Sequence, residues 1–203
     1  MTEEINQTDA KSAPADRQTA GPFDLGEVTD ISPTIDLGSI RIVPRPNLEL
    51  KLELDEASKR VVAVSVEIAE SKLQLQAFAA PRSSGLWHEI RNQISEQITN
   101  QGGVTKVEES LLGPQLLAEI PVQTPDATVV KQQVRFLGVD GPRWFLRGVV
   151  SGKAVTDQAA WNEISTVFRS TIVVRSSTPM PPKDLLPLKL PGTQLAQESH
   201  HLQ

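Results

Sequence analysis

Cysteine is absent from the 203 residues, which removes disulfides, thiolate nucleophiles and cysteine metal sites in one step. Histidine is scarce: His88 is the only one in the body, and His200 and His201 sit in the polar C-terminal end, so a histidine-built metal site is not expected. No run approaches about 18 consecutive apolar residues, so no membrane span is expected. The first 21 residues lack both the apolar core of a signal peptide and the Arg-rich amphipathic pattern of a transit peptide, and the protein reads as cytoplasmic. A basic excess is missing as well. The net charge of −5 argues against a phosphate backbone as the main partner, because nucleic-acid binders carry a basic face that displaces counterions. There is no Gly-rich phosphate loop, no Ser-His-Asp set and no metal-ligand spacing. No catalytic residue, metal or cofactor is therefore assigned, and an enzyme is the weaker class.

The stretch from Val130 to Val150 organises the chain. Two apolar runs rich in aromatic and β-branched residues flank Asp140-Gly141-Pro142, which is the pattern of a β-hairpin. A two-residue turn is excluded because Pro142 would have to donate the N–H that closes it, so a loop of about four residues is expected. That register puts Phe136 opposite Phe145 on one face and Leu137 opposite Trp144 on the other. Both faces then carry large apolar groups, so the hairpin belongs inside a sheet covered on both sides.

Taken in order, residues 1–21 are polar and without period, and are expected to be a disordered tail. Residues 22–35 form an extended arm in which Phe23, Leu25, Val28, Ile31 and Ile35 recur irregularly. Residues 36–175 carry the globular pattern. Leu48, Leu50, Leu52 and Leu54 alternate with charged residues as a half-buried strand. Strands are also expected over 39–43, 61–68, 73–80, 104–111, 115–122, 129–138 and 171–175. Gly85 to Gln101 reads as an amphipathic helix with Leu86, Ile90, Ile94 and Ile98 spaced by four, and a second helix follows a cap at Thr156 or Asp157. The fold class is α+β: a mostly antiparallel sheet of about eight strands with two amphipathic helices packed on it. Trp87-His-Glu-Ile90 echoes Trp161-Asn-Glu-Ile164, which raises the option of two β-meander-plus-helix halves. Residues 176–191 form a Pro/Leu-rich extended segment, with five prolines from Pro179 to Pro191, and residues 192–203 are expected to be a disordered tail.

Three ungapped stretches, Gln74 to Ser83, Gly138 to Gly148 and Met180 to Pro191, resemble an actinobacterial family known as domain of unknown function 3710, with the likeness running from about Gly21 to Pro191. The resemblance implies no activity and supplies no functional residues. Members tend to lie beside a gene for deoxyuridine triphosphatase, which associates the family with nucleotide metabolism or genome upkeep. Antiparallel strands followed by a Trp-containing helix also look like the Mog1 and PsbP architecture, an analogy of fold that carries no function.

Three groups of residues are candidates for a site. Arg82, Ser83, Ser84 and Gly85 enter the first helix, where free N–H groups could hold an anion, against the blander reading of a serine cap. Leu185, Leu186, Leu188 and Leu190 could dock on a partner or second subunit, against the blander reading of a strap on the chain's own body. Arg135, Arg143 and Arg147 could bind an anion, with cross-strand pairing to carboxylates as the alternative. Asp140 reads as a turn residue. The function expected is a non-catalytic interaction or regulatory module with an unknown protein partner or self-association. The alternative is an anion- or nucleotide-binding protein or enzyme.

Overall fold

A computed structural model describes residues 10–29 and 33–192. In chain order the elements are helix α1 (Arg17–Ala20) and strands β1 (Phe23–Asp24), β2 (Ile35–Asp36), β3 (Ile40–Ile42), β4 (Glu49–Leu54), β5 (Val61–Ile68) and β6 (Ser71–Ala79). Helix α2 (Trp87–Asn100) follows, then β7 (Val104–Ser110), β8 (Gly113–Gln123), β9 (Val129–Asp140) and β10 (Trp144–Gly152), helix α3 (Gln158–Ser170) and β11 (Ile172–Val173). Seven strands form an antiparallel sheet in the order β4-β5-β6-β10-β9-β8-β7. The short strands form a second sheet, β1-β11-β3-β2, in which β1 and β11 run parallel. The α+β class with a mostly antiparallel sheet is the observed one.

Strand alternation sorts the large sheet into two faces. On β10 the even residues Trp144, Leu146 and Val150 enter the main core with Leu73, Leu75, Phe168 and the small-sheet residues Leu37, Ile40 and Ile42. The odd residue Phe145 belongs to a second cluster with Leu86 and Trp87 of the α2 region. The two long helices therefore lie on opposite faces, α2 with Phe145 and α3 with the even side. Each three- or four-strand meander is followed by a helix, but a two-fold rotation exchanging antiparallel β6 and β10 would leave both helices on one face. The two halves are thus not related by that two-fold axis. Trp87 is fully buried while Trp161 is half-buried, so the matching tetrapeptides occupy different environments.

Trp144 and Phe145 face opposite ways and both are fully buried. The hairpin register differs from the expected one: Phe136 lies opposite Val149 and Leu137 opposite Gly148. The turn is the three residues Gly141–Arg143, closed by the Gly141 N–H to the Trp144 carbonyl at 2.8 Å. Pro142 sits in mid-turn, where its missing N–H costs nothing, so the ladder continues to the Asp140–Phe145 pair. A slip by an even number of residues leaves every side chain on its expected face. Gly138 is required by close approach, since a Cβ there would lie 2.2 Å from the Trp87 ring.

The N-terminal segment differs from the tail expected through Gly21. Residues 1–9 lie outside the described residues, but residues 10–21 lie on the body. Arg17 is buried, forms a bidentate pair with Glu27, and sits over the Trp144 ring at 5.7 Å. Its charge is satisfied by the fold rather than by water, which composition alone does not reveal. The expected arm over 22–35 contributes β1 and the first residue of β2, and Asp24 accepts a 2.8 Å hydrogen bond from the Trp144 indole. The C-terminal tail expected over 192–203 lies outside the described residues apart from Gly192.

The Pro/Leu-rich segment lies on the chain's own body. The Ala79 N–H donates to the Asp184 carbonyl and the Leu186 N–H to the Ala77 carbonyl, each at 2.8 Å, beyond the point where β5 has parted from β6. Further on, the Lys189 N–H donates to the Leu37 carbonyl at 2.9 Å, tying the same strap to the small sheet. Leu186 is fully buried, Leu185 and Leu188 are half-buried, and Leu190 stays exposed.

Candidate binding cleft

The central hairpin carries two charges on the α2 face, and the fold treats them differently. Asp140 is almost fully buried at the end of β9. Its carboxylate accepts from the backbone N–H of Leu86 at 2.8 Å, of Trp87 at 3.4 Å and of Ser12 at 3.0 Å. It thereby caps the first turn of α2 from across the sheet, and it is a structural hub rather than a mere turn residue. Neither Ser83 nor Ser84 takes that role: the N-cap of α2 is Leu86, which makes no side-chain cap hydrogen bond. Burial holds the Asp140 carboxyl above the usual carboxylate range, against the pull of those N–H groups and of Lys11. Lys11 donates to the Gly141 and Pro142 carbonyls, so residues 11–12 clamp the turn.

This arrangement bears on the four residues expected to receive an anion. Arg82 and Ser83 are exposed ahead of α2, Ser84 is half-buried, and Gly85 is pressed against Ala10 and Asp140. A Cβ on Gly85 would lie 2.6 Å from the Ala10 carbonyl oxygen and 2.7 Å from the Asp140 carboxylate. The Leu86 and Trp87 amides are already engaged, so an anion at this helix end would have to displace Asp140.

Two residues along β10 from the Asp140–Phe145 pair and on the same face, Arg147 is half-buried opposite Gln76 of β6. Its guanidinium donates to the Gln76 side-chain carbonyl and lies 5.8 Å from the centre of the Phe78 ring. Its Nε has no partner, and among the described residues no carboxylate lies within 4.0 Å of it. Desolvation pulls its pKa below the usual arginine value, although guanidinium remains charged at any working pH. The expected alternative, pairing of Arg135, Arg143 and Arg147 with neighbouring carboxylates, is not what is found. Arg135 lies on the other face, stacked 4.3 Å from the Trp161 ring and donating to the Val155 carbonyl at 2.7 Å. Arg143 is exposed in the turn. The three arginines are therefore not brought together.

Around Arg147 the sheet and α2 enclose a cleft of about 290 Å³. Its floor is Phe78 and Phe145, whose ring centres are 6.1 Å apart in a stacked arrangement, with Trp87 a further 5.9 Å from Phe145. Ile90 and Ile94 form the helical wall, and Gln93 and Gln97 from the same helix supply amides at its rim. Positions 90, 93, 94 and 97 share one face of a helix by period. Lys183 closes the end and pairs with Glu89 at 2.6 Å. Glu89 also accepts from Gln93 at 2.9 Å, whereas His88 lies with Asn92, so the adjacent His88 and Glu89 serve separate contacts. An aromatic floor, aliphatic wall, two amides and an uncompensated guanidinium make an apolar recess with one fixed anion receptor. Among the described residues no nucleophile or free general base faces it, and no group of His, Asp and Glu is placed to hold a metal ion.

Sequence reasoning named Arg147 among three arginines but missed the cleft, because its Phe78–Phe145 floor depends on the β6–β10 pairing, a contact between distant segments. The strap enters the site through Lys183 rather than through its leucines. Among the described residues no helix is long and apolar enough to cross a membrane. No curated protein and no solved structure matches the chain. The family described as Protein of unknown function (DUF3710) matches residues 21–197, and the chain belongs to it.

Proposed function

We propose that this member of a family of unknown function is a non-catalytic binding and regulatory module of the cytoplasm, whose cleft receives a carboxylate or phosphate carried on a flat or short apolar body. One observation carries the reading: Arg147 is half-buried and, among the described residues, without a carboxylate partner, beside the half-buried Phe78 ring at the floor of the cleft. A half-buried cation without a carboxylate is costly to keep, and a structural role would be served as well by a methionine or leucine. Its retention beside Gln93 and Gln97 is economical if an anionic group completes it. The absence of a nucleophile or base in the lining favours binding over chemistry. The cleft lies at the small end of ligand sites, which favours a single ring or short chain over a whole nucleotide.

Isothermal titration with phenyl phosphate, octanoate and inorganic phosphate tests this. Phenyl phosphate or octanoate is expected to bind saturably to the natural chain and not to Arg147→Met, while inorganic phosphate binds far more weakly. Equal binding by both chains would refute the assignment of Arg147.

A further inference from the structure

The second unfinished surface is the β7 edge, and it is independent of the cleft. Of the large hydrophobic residues left exposed, Val104, Val107, Leu111, Val122, Val129 and Val130 all belong to β7, β8, β9 and the β7–β8 turn. Strand β7 closes the large sheet and, among the described residues, pairs on one side only. It has no proline or bulge, and its register with β8 is continuous from Val104–Glu119 to Ser110–Gly113. Ser110 and Gly113 flank the two-residue turn Leu111-Leu112, so they form the hydrogen-bonded pair that closes the hairpin, and bonding alternates from there. The residues bonded to β8 are then Ser110, Glu108, Lys106 and Val104. Thr105, Val107 and Glu109 turn their backbone N–H and C=O outward. Pro114, opposite Glu109, agrees with this phase because it has no N–H to donate to β7.

The three outward residues are symmetric about Val107. We infer that β7 pairs antiparallel with β7 of a second copy about a two-fold axis through Val107, joining two seven-stranded sheets edge to edge. Val107 then meets Val107, and Thr105 meets Glu109 of the other copy, with each outward N–H facing an outward C=O. The charges select this register. Lys106 falls opposite Glu108 of the second copy, and Glu108 opposite Lys106, giving two equivalent cross-copy pairs. Within one chain the same two residues meet along the strand at 2.8 Å, so both are placed on the face that the partner would share. A lysine on an edge usually discourages pairing, and here it does so in every register except the one that brings it to a glutamate. Leu111, the most exposed hydrophobic at 86%, comes level with Gly103 of the other copy, beside the projecting β8–β9 tip that carries Val122 and Val130. The contact is a narrow strip, so the association is weak and concentration-dependent.

Sedimentation equilibrium of the full chain, from about 5 to 500 µM, reads the association directly. A monomer–dimer equilibrium is expected. Val107→Pro removes an outward N–H that β8 does not use, so it should keep the fold, seen as an unchanged circular dichroism spectrum, and abolish the dimer. Lys106→Glu or Glu108→Lys alone replaces two attractions with two repulsions and should weaken the dimer roughly tenfold or more, while the double exchange of both should restore it. A chain monomeric throughout the range overturns the inference, as does a dimer unaffected by Val107→Pro. A dimer insensitive to both charge reversals overturns the register. Ligand titration of Val107→Pro separates this from the cleft, whose binding should be unchanged.

Discussion

Asp140 and Arg147 lie on one hairpin and one face, yet they are completed to different degrees. At the closed end, Asp140 meets three backbone N–H groups from two separate segments and the charge of Lys11, so nothing is left for a ligand. In the open stem, Arg147 has one side-chain amide, an aromatic ring and an unused Nε. A buried charge that the fold has finished is part of the architecture. One left short of partners beside an open cleft marks where something else is received.

This contrast makes ordered predictions. Asp140→Ala leaves the Leu86, Trp87 and Ser12 amides unpaired in a buried place and should destabilise the chain by about 2–4 kcal/mol in urea unfolding. Gly138→Ala, which drives a Cβ into the Trp87 ring, should cost about 1–3 kcal/mol by overpacking the contact that seats α2 on the sheet. Arg147→Met should change stability by less than about 1 kcal/mol, or raise it, because an incompletely paired cation is replaced by an apolar group of similar length. A large loss for Arg147→Met with little for Asp140→Ala would invert the contrast.

Acidity gives a finer test. The folded Asp140 carboxyl holds its proton at higher pH than the unfolded one, so between the ordinary aspartate value and the raised one the folded state binds more protons. Asp140 should therefore add stability as pH falls through that window. Glu27, held below its ordinary value through its bonds to Arg17 and the Asp24 amide although burial opposes this, should act the other way: its contribution, present above the unfolded value, is lost as pH falls through the folded one. Subtracting the pH profile of Asp140→Asn from that of the natural chain should isolate the first slope. A difference that is flat, or that rises with pH, would contradict it.

Much of the fold was legible because it is written locally. Strand β5 begins and ends where Val61 and Ile68 place it, α3 is capped by Asp157 as its sequence position suggests, and alternation alone sets Trp144 and Phe145 on opposite faces. What escaped depends on distant partners. Nothing around Asp140 announces that Leu86, Trp87 and Ser12 converge on it. Strands were expected where β3 and β11 lie, but their union with β1 and β2 into a second sheet was not, because strands of two and three residues show no period and their partners are distant in the chain. Lys11, Ser12 and Arg17 look like a solvated tail by composition, because a polar residue satisfied by the protein and one satisfied by water have the same letter. The Arg147 cleft was hidden for the same reason: its floor requires Phe78 and Phe145 to be neighbours, and only the β6–β10 register makes them so.

Arg147 is left without a carboxylate for the sake of a ligand and not of stability. Calorimetric titration of phenyl phosphate into the natural chain and into Arg147→Met, with melting temperatures taken on the same samples, tests this most directly. Saturable binding that disappears in a variant melting at or above the natural temperature is expected, whereas no binding to the natural chain, or binding that survives in Arg147→Met, would rule out this role for Arg147.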